Sequence, residues 1–296
     1  MKTLISILER EQELLPSEED IRFYEEHGWY ISKNILSHEI IDQAIEGVEK
    51  FYQGHRDSYL PIDAGFSNWK PEDGFDIVRN NEFVSLQSQA LQKLVLQPII
   101  GAIAARLARV QEIRLLDDQL VYKPPQDRQG KGAVGWHADR AYWSTCSSNK
   151  LLTAWIPFHN CDQDRGPLVV LDKSHRWSGI ENTRYFNNSN LSEMEENFRA
   201  KGKEVVRVPM VLEKGQVSFH HCWTIHGSLP NYSESHRLAV AVHMQDGDNH
   251  YQPFIDSKGR EVHIADEFLC RKLSNGDPDF ADPKVFPVLW SSETTE

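Results

Sequence analysis

The texture of the sequence changes at Gln111, and no other feature constrains the fold as strongly. Before that point apolar residues recur at helical spacing. After it, short runs rich in Val, Ile, Leu and aromatic residues alternate with turn residues. Helices first and many short strands after imply helices packed outside a β-sandwich or barrel.

Ser17-Glu18-Glu19-Asp20 has the form of a capping box opening a helix through Tyr24, with Gly28 as its stop. Ser37 precedes Ile40, Ile41, Ala44, Ile45, Val48 and Phe51, again at helical spacing. A third helix is expected from about Val84 to Leu107, bent or reset at Pro98. Tyr52–Asn80 carries Gly, Pro, Asp and aromatics without periodicity and reads as a long loop over a site. Strands are expected at Ile113–Tyr122, Leu151–Phe158, Leu168–Leu171, Glu204–Val211, Gln216–Phe219 and Leu238–Met244. Pro124-Pro125, Asp164-Arg165-Gly166-Pro167 and Lys214-Gly215 are turn signals between them, and Ser192–Ala200 looks helical. The last stretch, Asp246–Glu296, reads as polar and irregular. With no linker visible, one domain is expected: a helical part to about 110, a β core over 111–245 and a tail over 246–296.

The 296 residues suffice for a substantial core, and 40% hydrophobic with 26% charged residues is ordinary soluble-globular composition. A net charge of −12 argues against nucleic acid or an anionic membrane as partner, because both need a basic face. No apolar run approaches a membrane span, and the N-terminus lacks a signal-peptide core, so a cytoplasmic location is expected. Cys146, Cys161, Cys222 and Cys270 are scattered without a CxxC pair and read as reduced core thiols. Gly130-Lys131-Gly132 lacks the spacing of a phosphate loop, and no nucleophile elbow occurs.

Chemistry enters with His137-Ala138-Asp139. Strand alternation points His137 and Asp139 the same way and Ala138 the other. His226, after a β-like run and before Gly227, is the best remote third ligand. Two imidazoles and a carboxylate suit Fe(II) and leave positions open, although zinc can take the same atoms. Arg237 follows His226 by eleven residues across the Pro230-Asn231 turn, a spacing that fits neighbouring strands. Its planar fork suits a carboxylate.

Trp136-His137-Ala138-Asp139, Trp155-Ile156-Pro157, Gly166-Pro167-Leu168, Lys173-Ser174-His175 and His226-Gly227-Ser228…Asn231…Arg237 resemble, in order and spacing, the phytanoyl-CoA dioxygenase family over residues 112–244. The resemblance implies a double-stranded β-helix, or jelly-roll, with Fe(II) at one open end and 2-oxoglutarate and O₂ as cosubstrates. It implies His137, Asp139 and His226 as iron ligands, and Arg237 with Ser228 at the far carboxylate of 2-oxoglutarate. By a weaker transfer, Gln119, Lys123 and Trp155 would line the cosubstrate pocket. The sequence departs from the family at Asp172-Lys173-Ser174-His175, where a Gly usually precedes Ser-His. In related halogenases a small residue replaces the carboxylate ligand, so Asp139 favours hydroxylation or another oxidation.

Tyr142, Trp143 and Arg140 follow the metal motif and are candidates for contact with substrate, with core packing or ion pairing as the plainer alternatives. Phe66, Trp69 and Trp223 are further aromatics in suspected site loops. His220-His221-Cys222 is read as core packing or hydrogen bonding behind the metal, His175 as holding a turn, and His159 and His243 as core histidines. The expected activity is oxidation of a C–H bond in a small metabolite, with secondary metabolism as a candidate setting, by a monomer or homodimer. An acyl-CoA substrate, a zinc hydrolase and a non-catalytic jelly-roll are the rivals.

Overall fold

The computed structural model describes residues 7, 9–62, 74, 76–126 and 132–292. Two antiparallel sheets carry the site. The larger is built from β1 (Trp29–Ile31), β2 (Arg79–Glu82), β3 (Glu112–Lys123), β5 (Leu152–Pro157), β8 (Ser218–His221), β10 (Arg237–Asp246) and β13 (Val288–Ser291). Its order is β1-β8-β5-β10-β3-β13, with β2 also on β3. The smaller runs β4-β9-β6-β7, from β4 (Val134–His137), β6 (Leu168–Leu171), β7 (Arg207–Pro209) and β9 (His226–Ser228). A short hairpin, β11 (Phe254–Ile255) with β12 (Glu261–Val262), stands apart.

The period of two decides what each face of the larger sheet meets. Ala154 and Ile156 of β5 and Val240 and Val242 of β10 join a buried cluster with Ile41, Leu91, Leu94 and Ile103 from helices. Those helices are α1 (Glu18–His27), α2 (His38–Tyr52), α3 (Gln89–Val95) and α4 (Pro98–Ala108). Each such Val, Leu or Ile side chain stabilises the fold by about 1.5–3 kcal/mol on burial. On the other face Trp155, Ala239 and Ala241 pack with Leu168, Val170 and Met210 of the smaller sheet or its flank. That face, between the sheets, is where the functional side chains lie.

Local signals place the helices. Ser17 Oγ accepts the Asp20 amide at 3.2 Å while Asp20 accepts the Ser17 amide at 2.8 Å, and Gly28 ends α1 at φ 80°. The single helix expected over 84–107 is instead a 3-10 turn and two helices. Pro98 has no N–H and sits at the start of α4, while Gln97 before it is extended. Contrary to the expectation that no apolar run approaches a membrane span, Gln89–Ala108 is by composition long and apolar enough to cross one, but it breaks at this point and 61% of its apolar window is buried.

Three further expectations need correction. The first 110 residues are not purely helical, because β1 and β2 extend the larger sheet. The supposed loop Tyr52–Asn80 ends inside β2; its residues 63–73 and 75, Phe66 and Trp69 among them, lie outside the described residues. The tail is ordered: besides the β11–β12 hairpin it supplies α6 (Asp266–Leu269) and β13, and its Phe280, Val285 and Phe286 build a second buried cluster with Leu116, Trp143 and Leu151. α5 (Leu191–Ala200) lies where a helix was expected.

The departure at Asp172-Lys173 also has a structural form. Lys173 adopts φ 60°, the left-handed conformation in which glycine is unstrained. It is held there by its backbone N–H on His27 O at 3.0 Å and its ammonium on Glu26 at 2.7 Å.

Candidate metal centre and substrate cavity

His137 and His226 face each other as register partners across the β4–β9 ladder, with ring centroids 4.1 Å apart. Gly227 permits this closeness, since a Cβ there would lie 2.6 Å from Val134 O. Ala138 continues the extended chain and Asp139 opens a 3-10 turn, so its carboxylate swings back to the two imidazoles. Asp139 Oδ1 stands 3.4 Å from His226 Nε2 and 3.8 Å from His137 Nε2, and all three ligand atoms lie within 4.8 Å of one another.

Each candidate ligand is oriented from behind. His137 Nδ1 sits 2.8 Å from Gly135 O and His226 Nδ1 3.0 Å from Thr224 O. Donation to those carbonyls leaves both Nε2 lone pairs free for a metal. Burial pushes both imidazoles below their ordinary range, so they stay neutral and able to ligate. Burial works against the charge of Asp139, but the facing imidazoles of His226 and His220 hold its carboxyl well below the usual range.

The remaining oxygen of Asp139 is fixed by one rung of the larger sheet, on which His220, Thr153 and His243 are register partners across β8, β5 and β10. Thr153 Oγ1 donates to Asp139 Oδ2 at 2.6 Å, His243 Nδ1 donates to Thr153 Oγ1 at 2.8 Å, and His220 Nε2 donates to Asp139 Oδ2 at 3.2 Å. His243 was expected as a core histidine. It is buried and satisfied, but its partner is the hydroxyl that steers the carboxylate. Parity could have found it: Thr153 and His243 share strand faces with Trp155 and Ala241.

Arg237, at the start of β10, is 2% exposed and lies over the Trp155 ring at 5.5 Å from the centroid. Its Nε has no hydrogen-bond partner, and burial pushes the guanidinium down to about 10. A buried cation without an acceptor is costly, and a carboxylate placed there would satisfy it. A narrow cavity of about 50 Å³ joins Arg237, Ser228, Trp155 and Gln119 to His137, Asp139 and His226. The donor set of nitrogen and oxygen therefore fits Fe(II), and the orphaned guanidinium at the far end fits a small diacid.

Other sequence candidates are placed differently. Lys123 is 1% exposed and is not part of that cavity wall; its ammonium donates to Leu229 O at 2.7 Å and Ser228 O at 3.3 Å. Arg140 points away from the metal centre and is bound to the carbonyls of Ser148, Trp143 and Cys146. Trp223 lies in a separate surface groove, donating to Asn149. Tyr142 and Trp143 do line a larger cavity of about 250 Å³ over His137 and Asp139. Trp143 serves both expectations, since it also belongs to the buried tail cluster and packs edge-on to His243.

That larger cavity holds the residues the sequence did not reveal. Arg184 and Phe186 reach it because Gly135 and Ala138 donate their amides to Phe186 O and Thr183 O. Glu82 comes from β2, Asp117 from β3, and His263 and Asp266 from the tail.

Residues 24–239 match the phytanoyl-CoA dioxygenase (PhyH) family. The chain belongs to that family. Peroxisomal phytanoyl-CoA dioxygenase of Bos taurus is 26% identical over 268 residues, which cover 84% of this chain and 73% of the relative. Among solved structures, SnoK, the non-haem α-ketoglutarate-dependent carbocyclase of nogalamycin biosynthesis, superposes with a TM-score of 0.68 at 25% identity over 92% of this chain and 96% of its own. EctD from S. alaskensis, solved with 2-oxoglutarate and 5-hydroxyectoine, gives a TM-score of 0.59 at 17% identity over 80% and 79%. The jelly-roll fold and the class of iron- and 2-oxoglutarate-dependent oxygenase expected from the sequence both stand.

Proposed function

We propose that this oxygenase oxidises a C–H bond of a free small metabolite, with His137 Nε2, Asp139 Oδ1 and His226 Nε2 as the iron ligands. Arg237 and Ser228 take the far carboxylate of 2-oxoglutarate, while Trp155 and Gln119 form the walls beside it. One observation carries this reading: the ligand atoms and an unpartnered buried guanidinium stand at two ends of one cavity. Bound iron, with 2-oxoglutarate and O₂, supplies oxidising power by coupling decarboxylation of the cosubstrate to C–H oxidation.

The protein's own residues set the geometry. Thr153 and His220 keep Asp139 ionised and direct one oxygen to the metal. The aromatic side chains of Tyr142, Trp143 and Phe186 narrow the cavity over the ligands and exclude water from the reacting C–H bond. The carboxyls of Glu82, Asp117 and Asp266 in the cavity wall offer the phosphates of an acyl-CoA no partner, which favours a free metabolite. Lys123 carries no part of this reading, since its ammonium is taken by two carbonyls. Four buried free cysteines support a reducing compartment such as the cytoplasm. The test is succinate formation from 2-oxoglutarate under air by purified protein with Fe(II). Turnover that needs Fe(II) and vanishes in His226→Ala supports the reading, and the same turnover from zinc-loaded protein would refute it.

A further inference from the structure

Three carboxyl groups that the metal chemistry does not use stand together in the cavity over the iron ligands. Glu82 accepts from Gln119 Nε2 at 2.8 Å and is already engaged. Asp117 and Asp266 differ. They are 5% and 4% exposed, yet Asp117 accepts only the amide of Asp118, at 2.6 Å, and Asp266 Oδ1 accepts no hydrogen bond. Among the described residues no Lys, Arg or His side chain pairs with either. Of the basic groups of the same wall, His263 donates to Glu267 at 2.7 Å, and Arg184 stands 5.7 Å from the Tyr142 ring centroid and pairs with neither acid. Asp117 is also the register partner of His243, so this acidic wall begins one residue from the hydroxyl relay behind the metal.

Burying carboxyls side by side without a cation is costly, and the cost is relieved by a positive charge placed between them. We propose that the substrate carries a protonated nitrogen that seats against Asp117 and Asp266, holding a neighbouring C–H bond toward His137 and Asp139. The proposal rests on the oxygenase reading for its outcome but not for its binding chemistry. Burial, with Glu82 and Glu267 nearby, pushes the Asp266 carboxyl up to about 8, and Asp117 is raised in the same way, which is the state expected of acids awaiting a counter-charge.

The test uses the full chain without added metal. Phenethylamine and cyclohexylmethylamine are titrated against phenethyl alcohol and cyclohexylmethanol by ligand-observed NMR. Both amines are expected to bind at least about tenfold more tightly than their alcohols. Asp266→Asn and Asp117→Asn, each checked for folding by circular dichroism, should each remove most of that preference, whereas Glu193→Gln on the surface should leave it. Absence of any preference overturns the proposal, as does a preference that survives both Asn variants. Stoichiometric uptake of Ca²⁺ or K⁺ that displaces the amines would assign the acids to an inorganic cation and also overturn it. In parallel, the visible absorption band of an anaerobic Fe(II)–2-oxoglutarate complex reports on the oxygenase reading. A band without amine preference sinks only the amine, and amine preference without a band sinks only the oxygenase.

Discussion

Asp139 and Asp266 are both buried carboxylic acids in the wall of one cavity, and their acidities move in opposite directions. Burial acts on both and favours the neutral form. Asp139 is held ionised by a hydroxyl and an imidazole N–H on one oxygen, while its other oxygen faces the two candidate ligand imidazoles. The charged groups that bear on Asp266 are the acids Glu82 and Glu267, and its Oδ1 is bare. The metal end of the cavity is thus built to hold a negative charge before anything binds, and the acidic end is built to gain one when a cation arrives.

Removing a ligand should break the metal end outright. Asp139→Ala or His226→Ala is expected to abolish iron retention and succinate formation with little change in circular dichroism, as metal analysis of the purified variants would show. Arg237→Lys keeps the charge but loses the fork, and KM for 2-oxoglutarate should rise by about one to two orders of magnitude, consistent with about 1.5–3 kcal/mol for a charge-assisted pair. An unchanged KM would remove Arg237 from the cosubstrate site. Thr153→Val severs the relay from His243 to Asp139 and should weaken iron binding by about 10–100-fold, measured by competition with a chelator.

A pH dependence sharpens the acidic side. A carboxyl whose folded pKa is raised from about 4 to about 8 binds more protons in the folded state between those values. Its contribution therefore falls as pH rises through that window, by up to about 1.4 kcal/mol per pH unit, and is flat above it. Asp266→Asn should flatten the decline in melting temperature from pH 5 to pH 8. An equal decline in variant and parent would show that Asp266 is not held neutral.

The clustering of the candidate metal ligands was legible in the sequence because its parts are short-range or register-fixed. His137 and Asp139 are two residues apart, and a single ladder pairs His137 with His226. The strands carrying them, and the capped helices behind, follow from periodicity and end signals. The acidic end was not legible, for a physical reason. Asp117 sits within a strand that reads as ordinary alternation, Glu82 lies in a four-residue strand of polar residues, and Asp266 belongs to a tail that looks irregular. These three meet only because β2 and β13 add to opposite ends of β3 and the tail packs Phe280 and Phe286 under Leu116 and Trp143. Such long-range pairings leave no local period. Arg140 shows the opposite error: adjacency to Asp139 suggested a substrate contact, but its donors are taken by backbone carbonyls.

Whether one cavity joins an iron site to a diacid site is decided by anaerobic titration of 2-oxoglutarate into Fe(II)-loaded protein, followed through the visible band of the chelate. The parent should form the band at one iron per chain, Arg237→Ala should form it only at far higher 2-oxoglutarate, and Asp139→Ala should not form it. A band of full strength in Asp139→Ala, or an Arg237→Ala titration that overlays the parent, would contradict the arrangement.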